Sequence, residues 1–378
     1  MAIKKILLIF GTRPEALKMA PVFLALKKHF NTKICVTAQH REMLDQALDT
    51  FQLTADIDLD LMQKNQTLSS FTARSLEALT EQYIKEKPDL ILVHGDTTTA
   101  LTAALAAFYL GIKIGHVEAG LRTFNLEAPF PEEFNRQVIS KIANMHFAPT
   151  ELNRENLINE GVVPKDIFVT GNTVIDSISL TIKKINEDKA HEKLIHDKLC
   201  INGFDPIADQ IILITGHRRE NFGDGFLNIC EAIKSLAKKY PSYSFIYPVH
   251  LNPIVSKPVQ KLLSGLDNIF LINPLDYDQF IYLLSNTYLV LTDSGGIQEE
   301  APGIGKPVLV MRDVTERPEG VNSGTVKLVG TQPSSIIEEV SKLLNSKAEY
   351  EKMSKAINPY GDGNAAKRIL SAIKTLKT

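Results

Sequence analysis

Short apolar runs alternate with longer amphipathic ones along most of the chain, the pattern of β-α units on a parallel sheet. Residues 6–10 read as a buried strand. Arg13-Pro14-Glu15 opens a helix, with proline pre-set for the first turn, that runs to about residue 30. Strands are expected at residues 33–37, 89–93, 113–117, 145–148 and 168–170, and helices at 68–86, 98–110 and 131–143. Residues 175–199 then turn rich in Lys, Glu, Asp and His, with few large apolar residues after Ile185, and read as an exposed helix and linker. A second series begins at Gln210. Its strands are expected at 211–215, 244–248, 269–271, 289–292 and 307–311, and its helices at 226–240, 276–285, 334–344 and 348–357. A loop-rich hinge, Asn358-Pro359-Tyr360-Gly361-Asp362-Gly363, precedes a closing helix at 364–377.

The expected fold class is α/β: two doubly wound Rossmann-like domains facing across a cleft. Residues 1–171 with a returning segment, 359–378, form the first domain, and residues 172–358 the second. In such sheets ligands bind beyond the carboxyl ends of the strands, so the chemistry belongs on strand-to-helix loops.

A length of 378 residues fits two domains better than one core. The chain is 44% apolar and 23% charged, and its formal net charge of −2 gives no electrostatic argument for nucleic acid or a membrane surface. Cys35, Cys200 and Cys230 are scattered and match neither a disulfide framework nor a zinc pattern, which points to a reducing compartment. The apolar run after Met1 is short, lacks a small-residue cleavage site and ends in Gly-Thr-Arg-Pro, so it reads as a first strand. No apolar run has the length of a membrane span, and the expected location is the cytoplasm.

The most informative loop is Asp293-Ser294-Gly295-Gly296-Ile297-Gln298-Glu299-Glu300, placed between a strand and a short helix that Pro302 and Gly303 cut off. Two glycines let the backbone turn sharply and let a ligand approach bare N–H groups. The helix N-terminus suits a phosphate, and Glu300, about 7 Å further along, suits ribose hydroxyls. The competing reading is a plain turn with a capping serine.

Other strand-end loops carry charge. Gly11-Thr12-Arg13-Pro14-Glu15-Ala16-Leu17-Lys18 lacks the dinucleotide fingerprint but offers Arg13 and Lys18 to a diphosphate. Asp96 in His94-Gly95-Asp96-Thr97, Glu118 in His116-Val117-Glu118, and Glu132 and Glu133 in the next helix start each have an ordinary explanation as caps or dipole-favourable acids. Together they would converge on one wall and raise each other's pKa, which suits acid–base work. His94-x-Asp96 and His116-x-Glu118 are also candidate metal pairs, since i and i+2 share a strand face. Gly216-His217-Arg218-Arg219-Glu220-Asn221 mirrors the Gly11 loop, His250 ends another strand, and Arg312 and Arg317 add positive charge near the Asp293 loop. Gly303-Ile304-Gly305-Lys306 is no P-loop, because its spacer is missing and Pro307 replaces the hydroxyl residue.

These blocks resemble the non-hydrolysing UDP-N-acetylglucosamine 2-epimerases. The matching stretches are Gly11 to Glu15, Val93 to Thr98, His116 to Thr123, Phe130 to Glu133, Gly216 to Asn221, Thr292 to Pro302 and Glu316 to Glu319, in the family's order and across nearly the whole chain. The resemblance implies a glycosyltransferase-B-like fold and interconversion of UDP-GlcNAc and UDP-ManNAc without NAD or a catalytic metal. It also implies a homodimer, and cell-envelope polysaccharide as the destination of the product. By the same resemblance Asp96, Glu118, Glu132 and His217 are the catalytic residues. Arg13, Lys18, Ser294, Gly295, Gly296, Glu300 and Arg317 contact UDP, and Phe280 lies near the uracil. Gln39, Arg218 and His250 match a pocket for a second, activating UDP-GlcNAc, while Glu42 and Asn65 stand where some members carry Gln and Arg. The implied reaction is elimination of UDP to a 2-acetamidoglucal and re-addition, with the division of labour among the carboxylates open. A UDP-sugar glycosyltransferase, a hydrolysing epimerase and a non-enzymatic UDP-sugar sensor are the alternatives.

Overall fold

The structure is a computed structural model describing residues 3–37, 41–63, 65–216 and 218–376. The chain divides into two compact units, Met1–Ser179 with Tyr360–Thr378, and Leu180–Pro359.

The first unit holds strands β1 (Lys5–Phe10), β2 (Asn31–Val36), β3 (Ile57–Asp58), β4 (Leu90–His94), β5 (Lys113–Val117), β6 (Met145–Ala148) and β7 (Ile167–Val169). Its order is β3-β2-β1-β4-β5-β6-β7, every pairing parallel. Helices cover both faces, which is why β1 is apolar throughout. Ile6, Leu8 and Phe10 join one buried cluster, and Leu7 and Ile9 join the cluster on the opposite face. The direction of winding reverses between β1 and β4, and the candidate loops leave the sheet there.

The second unit repeats the plan with β8 (Gln210–Thr215), β9 (Tyr243–Pro248), β10 (Ile269–Ile272), β11 (Leu289–Thr292), β12 (Val308–Val310) and β13 (Val326–Leu328). The order is β10-β9-β8-β11-β12-β13, again parallel, and the reversal falls between β8 and β11.

The returning segment is fixed within the first unit. Asn172 N–H donates to the Tyr360 carbonyl at 2.7 Å, and the Asp176 carboxylate accepts from the N–H groups of Ala365 and Ala366, the first residues of the closing helix Ala365–Thr375. Gly171 (φ 87°) and Gly361 (φ 115°) lie back to back. A Cβ on Gly361 would come within 3.1 Å of the Gly171 Cα, so neither position accepts a side chain.

Several expectations need correction. The first helix ends at Leu26 and not near residue 30, because exposed Lys27, Lys28 and His29 make a turn that delivers Asn31 to β1, where its N–H meets the Lys4 carbonyl. The 175–199 stretch is no exposed linker. It forms two helices, Thr173–Glu187 and Lys189–Cys200, with Ile175, Ile178, Ile185, Ile195 and Leu199 buried. Helices Arg41–Thr50, Glu151–Asn159 and Pro253–Leu263, and strands β3 and β13, were not expected from the pattern.

Candidate active site

In the first unit the site grows from the loops after β1, β4 and β5. Glu15 is buried in the helix that follows β1, where it accepts from the N–H groups of Gly11 and Thr12 and from the Thr97 hydroxyl at 2.7 Å. It thereby ties the β1 loop to the β4 loop. Thr97, and not Asp96, caps the next helix, since its Oγ1 accepts from Ala100 N–H. The Asp96 carboxylate is left to bond the Arg136 guanidinium at 2.6 Å, while Asn135 donates to the Asp96 carbonyl at 2.8 Å.

Glu118 directly follows β5 with φ 62°, the left-handed region that non-glycine residues rarely adopt. Its Oε2 is ion-paired with Lys18 Nζ, accepts from Asn172 Nδ2 at 3.0 Å and lies 3.6 Å from His94 Nε2. The strained backbone thus aims a carboxylate at a lysine one hundred residues away in sequence.

The carboxylates are not equivalent. Burial raises the pKa of Asp96, and the charges of Glu118 and Glu132 raise it further; Arg136 and His94 offset only part of this. Burial also acts to raise Glu118, but Lys18 and His94 outweigh it and hold that carboxyl well below the usual range. The expectation of mutually raised pKa values therefore holds for Asp96 and fails for Glu118. Glu133 plays a different part: its carboxylate accepts from the N–H groups of Thr123 and Phe124 and fixes the loop before the helix Glu132–Ile142.

The histidines of this region are structural in part. His116 is fully buried, and its Nε2–H donates to the Gly95 carbonyl at 2.7 Å. Burial drives its pKa down to about 3, so the ring stays neutral. Neither His94-x-Asp96 nor His116-x-Glu118 gathers into a three-ligand metal cluster among the described residues.

In the second unit the loops after β8 and β11 are joined through Asp293, whose carboxylate accepts from Arg218 N–H at 2.9 Å and Asn221 Nδ2 at 3.2 Å. The guanidinium of Arg317 lies over Gly295. An added Cβ there would stand 2.6 Å from Arg317 Nη1 and 3.1 Å from Arg218 Nη2, so a side chain at this position would displace the guanidinium. Gly296 faces the Glu300 carboxylate in the same way, 3.3 Å from an added Cβ, so Glu300 curls back over the helix start. Ser294 supplies no side-chain cap to the helix Gly295–Glu300. Arg317 pairs with Glu299 at 2.5 Å and Glu316 at 2.9 Å. Arg312 is buried against Glu220 and Glu316, so its charge is spent inside the protein and does not face a ligand as the sequence suggested.

Arg13 begins the first helix half-buried, Phe280 is half-buried in the first turn of Tyr277–Asn286, and His250 is exposed just beyond β9. His217 and Gln39 lie outside the described residues. Arg136, Glu15 and Asn172 were not expected as parts of the site. Arg136 and Glu15 had a signal, since Arg136 lies one turn after Glu132 and Glu15 closes the Gly11 to Glu15 stretch; Asn172 had none.

Two parallel sheets, each with loops gathered at its winding reversal, give the glycosyltransferase-B-like fold. The likeness to the Acinetobacter baumannii MurG structure, TM-score 0.59 at 14% identity over 99% of this chain and 100% of that one, concerns the fold alone. A family model described as UDP-N-acetylglucosamine 2-epimerase matches residues 24–374, and the chain belongs to that family. It is 54% identical over 377 residues to the UDP-N-acetylglucosamine 2-epimerase of Campylobacter jejuni, covering 98% of this chain and 97% of the relative. Among solved structures, UDP-GlcNAc 2-epimerase from Neisseria meningitidis bound to UDP-GlcNAc matches with a TM-score of 0.88 and 51% identity, over 98% of this chain and 99% of that one. The Methanocaldococcus jannaschii enzyme in complex with UDP-GlcNAc and UDP matches with a TM-score of 0.78 and 34% identity, over 97% and 98%.

Proposed function

We propose that the protein interconverts UDP-N-acetylglucosamine and UDP-N-acetylmannosamine by inverting C2. The observation that carries this reading is the set of carboxylates beyond β4 and β5: one with a raised pKa beside Arg136, the other ionised against Lys18 from a strained backbone. The bound UDP-GlcNAc in the relatives supports the same substrate.

The C2 proton has no neighbouring carbonyl, so a base alone removes it slowly. Departure of UDP changes that. As the C1–O bond breaks, positive charge grows at C1 and acidifies C2–H. The base takes the proton, the C–H pair becomes the C1=C2 bond of a 2-acetamidoglucal, and UDP leaves with the C1–O pair. Re-addition returns UDP to C1 and a proton to the other face of C2. Asp96, with its raised pKa, is suited to carry a proton; Glu118, held ionised, keeps Lys18 in place for the diphosphate together with Arg13. Glu132 and His217 complete the acid–base set. In the second unit Ser294, Gly295, Gly296, Glu300 and Arg317 hold the UDP portion, with Phe280 beside the uracil. Gln39, Arg218 and His250 belong to a second UDP-GlcNAc pocket. The protein acts as a cytoplasmic homodimer and supplies ManNAc units for cell-envelope polysaccharide. Among the described residues, no helix is long and apolar enough to cross a membrane.

The test is to incubate the purified protein with UDP-GlcNAc alone and identify the products by NMR. The expected product is intact UDP-ManNAc, in equilibrium with substrate. Free ManNAc with UDP, turnover only with an added acceptor, or no reaction would each reject the reading.

A further inference from the structure

Outside the candidate active site, three side chains of different chemistry converge at the end of one helix in the second unit. His196 and Cys200 stand four residues apart on Lys189–Cys200, on the same face. The chain then loops back, with Gly203 at φ 96°, and presents Asp205 to both. His196 Nε2 is 3.3 Å from Asp205 Oδ1 and 3.8 Å from Cys200 Sγ, and one donor atom from each residue lies within 4.8 Å of the others. We propose that His196, Cys200 and Asp205 form a binding site for a zinc-like divalent cation that clamps the helix end to the loop leading into β8.

The spacing fits the coordination geometry. Tetrahedral zinc, with bonds of about 2.0 Å to N and O and 2.3 Å to S, sets edges of about 3.3 Å for N···O and 3.5 Å for N···S. The observed separations are close to these; Sγ is also 3.6 Å from Nδ1, so a rotation of the imidazole is needed to aim Nε2 at the ion. A donor set of one imidazole, one thiolate and one carboxylate selects zinc and its neighbours over magnesium or calcium. Three protein ligands leave a fourth position for water.

The surroundings support the site in the manner of an outer coordination shell. Asp205 Oδ1 accepts from the N–H groups of Ile207 and Ala208 at 2.8 and 3.0 Å, and Asp209 accepts from Asp205 N–H at 3.0 Å, so the carboxylate is held in place before any ion arrives. Asp197 Oδ1 is 3.7 Å from Nδ1, where it can orient the ring. Burial raises the Cys200 thiol, and Asp205, Asp197 and Asp209 add to the effect. A cavity of about 300 Å³ adjoins, lined in part by Glu192, Ile207 and Tyr282. The buried Tyr282 hydroxyl has no hydrogen-bond partner among the described residues and lies in the field of Glu192, Asp205 and Cys200. None of these residues belongs to the proposed catalytic set.

The experiment uses the untagged full chain, stripped with chelator and titrated with Co²⁺ and then Zn²⁺. One Co²⁺ per chain should give the near-ultraviolet thiolate-to-cobalt charge-transfer band, which Zn²⁺ abolishes by displacement. Cys35 and Cys230 are completely buried, so the band reports Cys200. Cys200→Ser should lose the band, and Asp205→Asn should keep it while weakening Zn²⁺ binding by at least ~10-fold. Absence of the band in the wild-type protein, its persistence in Cys200→Ser, or undiminished Zn²⁺ affinity in Asp205→Asn would overturn the site.

Discussion

Asp96 and Glu118 have the same functional group and opposite electrostatic positions, and the difference comes from single neighbours. Asp96 has one buried arginine that only partly offsets burial and two nearby carboxylates; Glu118 has a lysine in contact and an amide donor. Asp96→Asn should therefore cut kcat by ~10²–10⁴-fold with KM nearly unchanged, because it removes a proton carrier. Glu118→Gln should lower kcat and also raise KM, because Lys18 loses its ion pair. Steady-state kinetics on both variants, with circular dichroism to check folding, separates the two roles. Near-normal turnover in either removes that residue from the scheme. The sequence marked both carboxylates by their strand-end positions. It could not mark Lys18 as the partner of Glu118, or Arg136 as the partner of Asp96, because those pairings join different β-α units and exist only once the sheet has formed.

At the scale of elements, the sheets were legible because strands covered on both faces read as unbroken apolar runs. β1, β4, β5 and β11 all fall within a residue of their expected limits. Elements with mixed composition were less visible. The helix Glu151–Asn159 buries only Asn153 and Leu157, and β3 and β13 are two and three residues long, so neither periodicity nor length gave a signal. The two helices after Thr173 were misread for a related reason: their buried isoleucines form a narrow stripe among many charges. In the strand-loop-helix element at Asp293 to Glu300 the glycines were expected to serve a sharp turn and a ligand's approach; neither Gly295 nor Gly296 has a positive φ, and what crowds Gly295 is the Arg317 guanidinium. Gly295→Ala should displace that guanidinium, raise KM for UDP-GlcNAc by at least ~10-fold and leave the melting temperature within a few degrees of wild type; an unchanged KM would show that Arg317 does not need this seat.

For the whole molecule, acid stability follows from the buried histidines of the first sheet. Burial lowers His116 to about 3 and His146 to about 4, both below the ordinary value of 6.5. Between those limits the unfolded chain binds protons that the native state refuses, so stability is full above about pH 6.5 and falls as pH drops toward 4. Each histidine can contribute a slope of up to ~1.4 kcal/mol per pH unit. Glu15, Asp96 and Asp176, whose pKa values are raised, act in the opposite sense from their ordinary values upward, so the histidine contribution is read as the difference between wild type and a histidine variant. Urea unfolding of wild type and His116→Gln at pH 7 and pH 5 should give a smaller loss in the variant; equal losses would mean that His116 does not titrate as described. The proposed chemistry belongs to the same scale. Its central claim is that C2–H is broken and remade through exchange with solvent. Running the reaction in D2O and following C2 by proton NMR tests this most directly. The account predicts that UDP-ManNAc forms with deuterium at C2 and its nucleotide intact, and that substrate gains C2 deuterium as equilibrium is approached. Epimerised product that retains its C2 proton would contradict it.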